Sequence, residues 1–296
     1  MSNPWRGTLL VALSGMLYGA IGYCGTQLFH QHFSVSSMLF WRFCIASLAM
    51  LTFICSSKKK VFELRGEKSA FLKLLLLGIL SYSGASAFYF AASKHIGTGL
   101  AMVIFFSFPV FVTLFVWCSS SWRMNKYAFF SLLTVILGLI LLKGQGEHAL
   151  NLFGILLAVI AALFYAIYVY GSRYSGQLMD SRLQTILICL GNAIIFLVIS
   201  VYNHTLFIPE TLSAWFYILA LGVLATAVPI QLLLEGLKYV SPIKASILSV
   251  LEPVVTILFG LVLLHETISS LQLLGIMIVL LGAILIQFER TPAYAH

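Results

Sequence analysis

Long apolar stretches separated by short polar connections run along the whole chain. Ten of these stretches are about 18 residues or longer and carry almost no charge, which is typical of helices that cross a membrane. They are residues 7–28, 35–55, 70–92, 97–118, 126–143, 150–172, 183–203, 213–237, 243–264 and 269–288. The pattern therefore predicts an all-α membrane protein with ten transmembrane helices.

The composition supports a lipid environment. Hydrophobic residues make up 61% of the 296 residues and charged residues 9%, whereas a soluble domain carries about 25% charged residues. The first stretch is longer than the apolar core of a signal peptide, so we interpret it as the first helix. The five cysteines lie in apolar stretches without metal-ligand spacing, which favours packing over a disulfide framework or a zinc site.

Lys and Arg are distributed unevenly between the connections. With the N-terminus in the cytoplasm, two lie outside (Lys94 and Lys143), one lies within the second helix (Arg42), and fourteen lie inside. The inside residues are Arg6, Lys58, Lys59, Lys60, Arg65, Lys68, Lys73, Arg123, Lys126, Arg173, Arg182, Lys238, Lys244 and Arg290. Because cytoplasmic loops are enriched in Lys and Arg, this bias predicts that both termini are cytoplasmic. It also explains the net charge of +8 without nucleic-acid binding.

The second half of the chain repeats the first. A shift of 144 residues aligns the third to fifth helices with the eighth to tenth, and a shift of 147 aligns the first helix with the sixth. The pairs at 144 include Lys94 with Lys238, Pro109 with Pro253, Val135 with Val279 and Gly138 with Gly282; the pairs at 147 include Gly7 with Gly154 and Tyr18 with Tyr165.

A repeat of five helices is odd, so the second unit must enter the membrane from the opposite side. The prediction is a 5+5 inverted-topology repeat, with residues 1–148 as the first unit and 149–296 as the second. In such proteins a site between the repeats opens to either side in turn, which is typical of alternating-access carriers.

Four short motifs carry a family resemblance. They are "FWRF" at 40–43, "SFPVF" at 107–111, "LEPVV" at 251–255 and "LLHE" at 263–266. In this order and across the whole chain, the set resembles the drug/metabolite transporter superfamily, specifically its ten-helix EamA-type members. The resemblance implies a carrier for amino acids or other small metabolites, frequently an exporter, and names no substrate.

Pro109 and Pro253 occupy equivalent positions in the fourth and ninth helices. Proline removes a backbone hydrogen bond, so each should bend its helix and leave the carbonyl four residues back, of Phe105 or Ser249, without its usual donor. A packing kink and a hinge or pocket-forming break are both open interpretations.

Glu252 lies about 14 Å into the ninth helix, near the middle of a hydrocarbon core about 30 Å thick. A charge there costs at least about 2.5 kcal/mol, so the carboxyl should face protein or water. Its repeat partner is Phe108, so the repeat does not require it. Recognition of a substrate amine, proton coupling and an interhelical hydrogen bond remain alternatives.

Arg42 lies about 10 Å into the second helix. Three roles are open: snorkelling to the outer surface, a structural ion pair or gate, and capture of a substrate carboxylate, of which the ion pair or gate is favoured. Gln231, Glu235 and Lys238 share one face of the eighth helix, and Glu235 and Lys238 are spaced to pair, as a solvated or gate salt bridge at its cytoplasmic end.

Polar and aromatic side chains in the helices are further candidates for the pocket. Asn192 in the seventh helix could line a pocket or bond another helix. Aromatic side chains make up 14% of the chain and could stack on a ligand or serve in packing. The tyrosine candidates are Tyr18, Tyr82, Tyr89, Tyr165 and Tyr168.

The predicted function is a secondary-active carrier of the bacterial inner (plasma) membrane. It is expected to move a small polar metabolite by alternating access. An amino acid or derivative is the favoured substrate, and export is the favoured direction. Protons are a possible coupling partner, and the sequence contains no nucleotide-binding loop or catalytic constellation and implies no cofactor. A lipid-handling flippase, a multidrug or cationic-compound exporter and an intramembrane enzyme are the alternatives, and the oligomeric state is open.

Overall fold

The computed structural model describes residues 4–56, 68–96, 98–119, 125–142, 151–263 and 269–288. Within these ranges the chain is almost entirely helical and contains no strand. The α-helices are α1 (Pro4–Tyr18), α2 (Ala20–His30), α3 (Val35–Ser56), α4 (Lys68–Ile96), α5 (Thr98–Phe105), α6 (Phe108–Ser119), α7 (Lys126–Leu142), α8 (Leu152–Leu178), α9 (Ser181–Tyr202), α10 (Leu212–Leu219), α11 (Val228–Gly236), α12 (Pro242–Leu248), α13 (Leu251–Leu263) and α14 (Ser270–Leu285).

Eight helical segments are long and apolar enough to cross a membrane. They are Trp5–His30, Val35–Ser56, Phe71–Ile96, Ala101–Ser119, Leu152–Tyr174, Ser181–Tyr202, Leu212–Gly236 and Pro242–Leu263. The predicted fifth and tenth spans correspond to apolar helices that are shorter, Lys126–Leu141 and Ser270–Leu285. Seven of the Lys and Arg residues and most of the "LLHE" motif lie outside the described part of the chain; the seven are Lys58, Lys59, Lys60, Arg65, Arg123, Lys143 and Arg290.

Short polar side chains set where several helices begin. The side chains of Asp180, Thr211, Ser241 and Ser269 each accept a hydrogen bond from a backbone N–H in the first turn of α9, α10, α12 and α14. Such bonds satisfy N–H groups that have no partner inside the helix.

The fourth and ninth predicted spans are broken helices rather than kinked ones. Non-helical steps at Phe106–Ser107 and Ser249–Val250 separate α5 from α6 and α12 from α13, and Pro109 and Pro253 lie just after them. The first turn of a helix tolerates proline because its N–H groups have no helical acceptor. The Ser249 carbonyl, whose usual donor would be the N–H that Pro253 lacks, accepts the Glu252 N–H at 3.0 Å instead.

The first and eighth spans are also irregular. Gly19 interrupts the first span between α1 and α2, and a π-helix over Ala220–Ala227 joins α10 to α11. Pro229 follows this π segment and cannot donate to the helix, which accounts for the altered hydrogen-bond register before it. Four of the spans are therefore discontinuous or irregular within the bundle.

The contact between α7 and α14 is two-fold related. A Cβ placed on Gly138 would lie 2.7 Å from Cγ2 of Val279, and one placed on Gly282 would lie 2.6 Å from Cγ2 of Val135. These residues correspond at the 144-residue shift, so each helix presents the same positions to the other. Glycine at both crossing points lets the two backbones approach closely.

Candidate functional site

A cavity lies in the middle of the bundle, where the broken helices meet. It has about 520 Å³ of free space, a figure that includes the open space at its mouth. Its lining comes from α1 to α5, α8 and α13 and comprises Tyr18, Ile21, Arg42, Tyr82, Ala85, Ser86, Tyr89, Phe90, Met102, Phe105, Phe106, Tyr165 and Glu252. Six of the residues that the sequence singles out therefore share one cavity.

Tyrosines from three spans form one wall. The hydroxyl groups of Tyr18 and Tyr82 lie 3.3 Å apart, and the rings of Tyr82 and Tyr165 meet edge to face with centroids 6.1 Å apart. Tyr89 lies further along α4, against Phe105. This wall offers hydroxyl groups and aromatic faces to the same space.

Two residues predicted to bind substrate, Tyr168 and Asn192, lie away from the cavity. Tyr168 is fully buried and packs edge to face behind Tyr82, with centroids 4.8 Å apart. Asn192 is also fully buried; it accepts a hydrogen bond from Ser83 Oγ at 2.8 Å and donates one to the Ile188 carbonyl at 2.9 Å. Its geometry matches the interhelical alternative, with α4 and α9 as the partners.

Arg42 points into the bundle. Its side chain donates from Nε to Thr226 Oγ1 at 2.7 Å, and its Cζ lies 5.2 Å from the centre of the Phe43 ring. Only 3% of the residue is exposed, so the snorkelling alternative is wrong. The expected ion pair is not formed with any acidic residue of the described chain.

Glu252 lies at the second residue of α13, directly beside Gly19. A Cβ on Gly19 would lie 2.7 Å from Val255 and 3.1 Å from the Glu252 carbonyl oxygen. Thr256 Oγ1 completes the contact, since it lies 3.1 Å from the Gly19 carbonyl and 3.0 Å from that of Glu252. Glycine at position 19 thus allows the first span to approach α13 closely, and Tyr18 and Glu252 line one cavity.

Gln231, Glu235 and Lys238 form a separate polar cluster between α9 and the end of α11. Lys238 Nζ lies 2.6 Å from Glu235 Oε2, as their spacing predicts. Ser181 Oγ donates to the same carboxylate oxygen at 2.7 Å and accepts from Gln231 Nε2 at 3.0 Å. The cluster ties the two helices together away from the cavity.

Several residues that form the site were not predicted from the sequence. Thr226 holds Arg42, and Oγ1 of Thr226 itself donates to the Leu221 carbonyl at 2.7 Å inside the π segment. Pro229 in an apolar helix was an available signal for this irregularity. Phe105 and Phe106 reach the cavity because the fourth span breaks there. The hydrophobic pattern of this span does not predict that these two side chains line a cavity. In the described part of the chain, no group of three or more His, Cys, Asp or Glu could hold a metal ion.

Comparison with known proteins places this architecture in a family. The model of the EamA-like transporter family matches residues 5–143 and again residues 152–288. The chain belongs to the EamA-like transporter family.

Individual EamA relatives agree with this membership. The chain is 24% identical to the uncharacterized inner membrane transporter YicL of Salmonella typhimurium over 98% of this chain and 97% of that one. It is 30% identical to the threonine/homoserine exporter RhtA of Escherichia coli K12 over 80% of this chain and 77% of that one. One solved crystal structure superposes with a TM-score of 0.79 at 18% identity, covering 94% and 95% of the two chains, and so has the same fold.

The family and the apolar helices together define the class of protein. The chain is a membrane transporter of the EamA type and a multi-pass protein of the inner membrane. As a transporter it acts on a small molecule and lies in the lipid bilayer.

Proposed function

We propose that the protein is a secondary-active carrier that exports an amino acid or a close derivative by alternating access. The central cavity carries this proposal, because it places one cation, one carboxyl and four tyrosines at the broken helices. Discontinuous helices at a central site are typical of such carriers. The similarity to the exporter RhtA at 30% identity supports amino acids as the substrate class.

The proposed topology has ten crossings in two inverted repeats, residues 1–148 and 149–296, with both termini cytoplasmic. Related contacts between the halves support it. Gly7 packs closely on Val240 beyond α11, and Gly154 packs closely on Ile96 at the end of α4. These glycines correspond at the 147-residue shift, and Val240 and Ile96 correspond at 144. The α7–α14 contact follows the same two-fold relation.

Export by purified protein in liposomes tests the function. Vesicles loaded with labelled L-threonine or L-homoserine should release it faster than protein-free vesicles, and the rate should saturate with substrate concentration. Flux that grows linearly with concentration, or scrambling of labelled lipid without amino acid release, would contradict the carrier. Measurement of the rate with and without a proton gradient then tests coupling.

Glu252 is the proposed coupling residue if protons drive export. Glu252→Gln removes the titratable group and should abolish the response of the rate to the proton gradient. Met102→Leu is the matched control, since it changes an uncharged residue of the same cavity. An unchanged rate and an unchanged response to pH in Glu252→Gln would remove Glu252 from this role.

A further inference from the structure

We infer that Arg42 and Glu252 are the two poles of a zwitterion-binding site, in which Arg42 binds the substrate carboxylate and Glu252 the substrate ammonium. This inference rests on the proposed carrier function and assigns a recognition mode to its cavity. It also narrows the substrate class to α-amino acids whose side chains carry no charge.

The donors of Arg42 are only partly used. Only 3% of the residue is exposed, and its Nε donates a hydrogen bond to Thr226 Oγ1. Its terminal nitrogens, Nη1 and Nη2, have no hydrogen-bond acceptor among the described residues. Those two nitrogens form the fork that matches a carboxylate. Thr226 therefore orients the guanidinium from behind and leaves the fork available to a ligand in the cavity.

The carboxyl of Glu252 is similarly available. It lines the cavity, and neither of its side-chain oxygens has a hydrogen-bond or salt-bridge partner in the described chain. The residue's backbone is fixed by Ser249 and Thr256, so the side chain starts from a rigid point. An ammonium group would supply the missing donors.

Both groups face one cavity, yet they are not within salt-bridge distance of each other. An unpaired buried charge is strongly unfavourable, and two opposite charges with only a structural role would be stabilised by pairing directly. A ligand that carries both charges compensates both groups at once. An anion alone or a cation alone would leave one group uncompensated.

The remaining walls select the side chain. Ile21, Met102 and Phe106 are apolar, and Ser86 and Tyr89 contribute neutral polar groups. Because no third charge lines the cavity among the described residues, a charged substrate side chain would be desolvated without a partner. Apolar and hydroxylated side chains fit this surface.

Calorimetric titration of the full chain in nanodiscs provides the test. The ligands are alanine, threonine, homoserine, leucine and phenylalanine, followed by the amino alcohol and the des-amino acid of the tightest binder. The amino alcohol lacks only the carboxylate and the des-amino acid lacks only the ammonium. We expect the amino acid to bind about tenfold or more tightly than either analogue, and lysine and glutamate to bind about tenfold more weakly.

Two variants should separate the poles. In Arg42→Gln the preference for the amino acid over its amino alcohol should disappear, while the preference over the des-amino acid remains. Glu252→Gln should show the reverse pattern, and Ser200→Ala, a change at a buried residue outside the cavity, should keep both preferences. Arg42→Lys retains the charge without the fork and should keep part of the first preference, which provides a second variant if Arg42→Gln fails to fold.

The outcomes separate this inference from the proposed function. A wild type that binds either analogue as tightly as the amino acid overturns the zwitterion site, and so does a loss of both preferences to the same extent in each variant. Saturable transport of another metabolite, with no binding of the five amino acids, would overturn the inference and keep the carrier. Absence of any saturable transport would overturn the carrier itself.

Discussion

Arg42 donates from Nε to Oγ1 of Thr226 at 2.7 Å, and this bond joins the second span to the π segment of the eighth. The contact orients the buried cation of the cavity. The same Thr226 hydroxyl donates to the Leu221 carbonyl five residues earlier, inside the π segment.

Thr226→Val tests this orientation. Valine has nearly the shape of threonine and cannot accept the Nε–H, so a buried donor on a charged group loses its partner. We expect a loss of about 1–3 kcal/mol in the free energy of unfolding and about tenfold weaker amino acid binding. Thermal unfolding and titration in nanodiscs measure both. Thr226→Ser keeps the acceptor and is the control; equal behaviour of the two variants would contradict the role of the bond.

The sequence predicted the chemistry of the cavity better than its geometry. Tyr18, Tyr82, Tyr89 and Glu252 stand out because polar atoms in apolar helices need a partner, and the structure brings them to one cavity. Tyr168 lies one turn from Tyr165 but behind Tyr82, which sequence spacing does not reveal.

The helix breaks were harder to predict for a physical reason. Every face of a membrane helix is apolar, so hydrophobic periodicity does not separate the lipid face from the packed face. Pro109 and Pro253 marked two of the breaks, yet the steps at Phe106–Ser107 and Ser249–Val250 and the turn at Gly19 depend on contacts with other helices. The choice of Thr226 as the partner of Arg42 likewise depends on how distant segments pack.

Gly19→Ala should disturb the contact between the first span and α13. Its new methyl group would lie 2.7 Å from Val255, which is too close without movement of one helix. We expect a loss of about 1–3 kcal/mol in stability and weaker binding, because the shift moves Tyr18 and Glu252 apart. Thermal unfolding and amino acid titration provide the measurement.

Gly25→Ala is the matched control for this prediction. A methyl group there would lie 3.7 Å from Met38 Sδ, an ordinary contact. Alanine also favours the helix, so stability should stay the same or rise by up to about 1 kcal/mol. If both alanine variants unfold at the same temperature, the stability of the fold does not depend on the close approach at Gly19.

Asn192→Leu should affect stability but not specificity. The side chain bonds Ser83 and the Ile188 carbonyl, outside the cavity. Leucine removes the interhelical bond while Ser83 keeps its own bond to the Ile79 carbonyl at 2.8 Å, so we expect a loss of about 1 kcal/mol. The ratio of amino acid to analogue affinities should equal that of the wild type. A changed ratio would show that Asn192 contributes to substrate binding.

Asp180 makes a small pH-dependent contribution to stability. Burial alone would raise the pKa of this carboxyl, but the hydrogen bonds and charge of Arg182 outweigh it and hold the pKa below its ordinary value. A lowered pKa in the folded state stabilises the fold above the unfolded-state pKa of about 3.9. This contribution is lost as the pH falls through the lower, folded-state value.

Asp180→Asn isolates that contribution, because asparagine still caps α9. At pH 6 the variant should be less stable than the wild type by no more than about 1 kcal/mol, since the pair is partly exposed. The difference should shrink as the pH falls below about 4. Melting temperatures at several pH values measure it, and a difference that is constant with pH would exclude the ion pair as its cause.

Ser181→Ala should weaken the junction of α9 and α11. One hydroxyl joins Glu235, Gln231 and Lys238 there, at 2.7, 3.0 and 3.1 Å. Its removal leaves the partly buried Gln231 amide and Glu235 carboxylate one partner short, at a cost of about 1–3 kcal/mol. If the cluster acts as a gate, leak of threonine from loaded vesicles without a gradient should also rise.

Ser200→Ala on the same helix distinguishes this effect from a general loss of a serine. The Ser200 hydroxyl is buried without a hydrogen-bond partner among the described residues, so its removal should be neutral or slightly stabilising. A higher leak in Ser181→Ala than in Ser200→Ala supports a gate. A gate contact that is weakened must open more often, so a gate would leak more in Ser181→Ala. Lower stability of this variant with an unchanged leak would therefore show that the cluster is only structural.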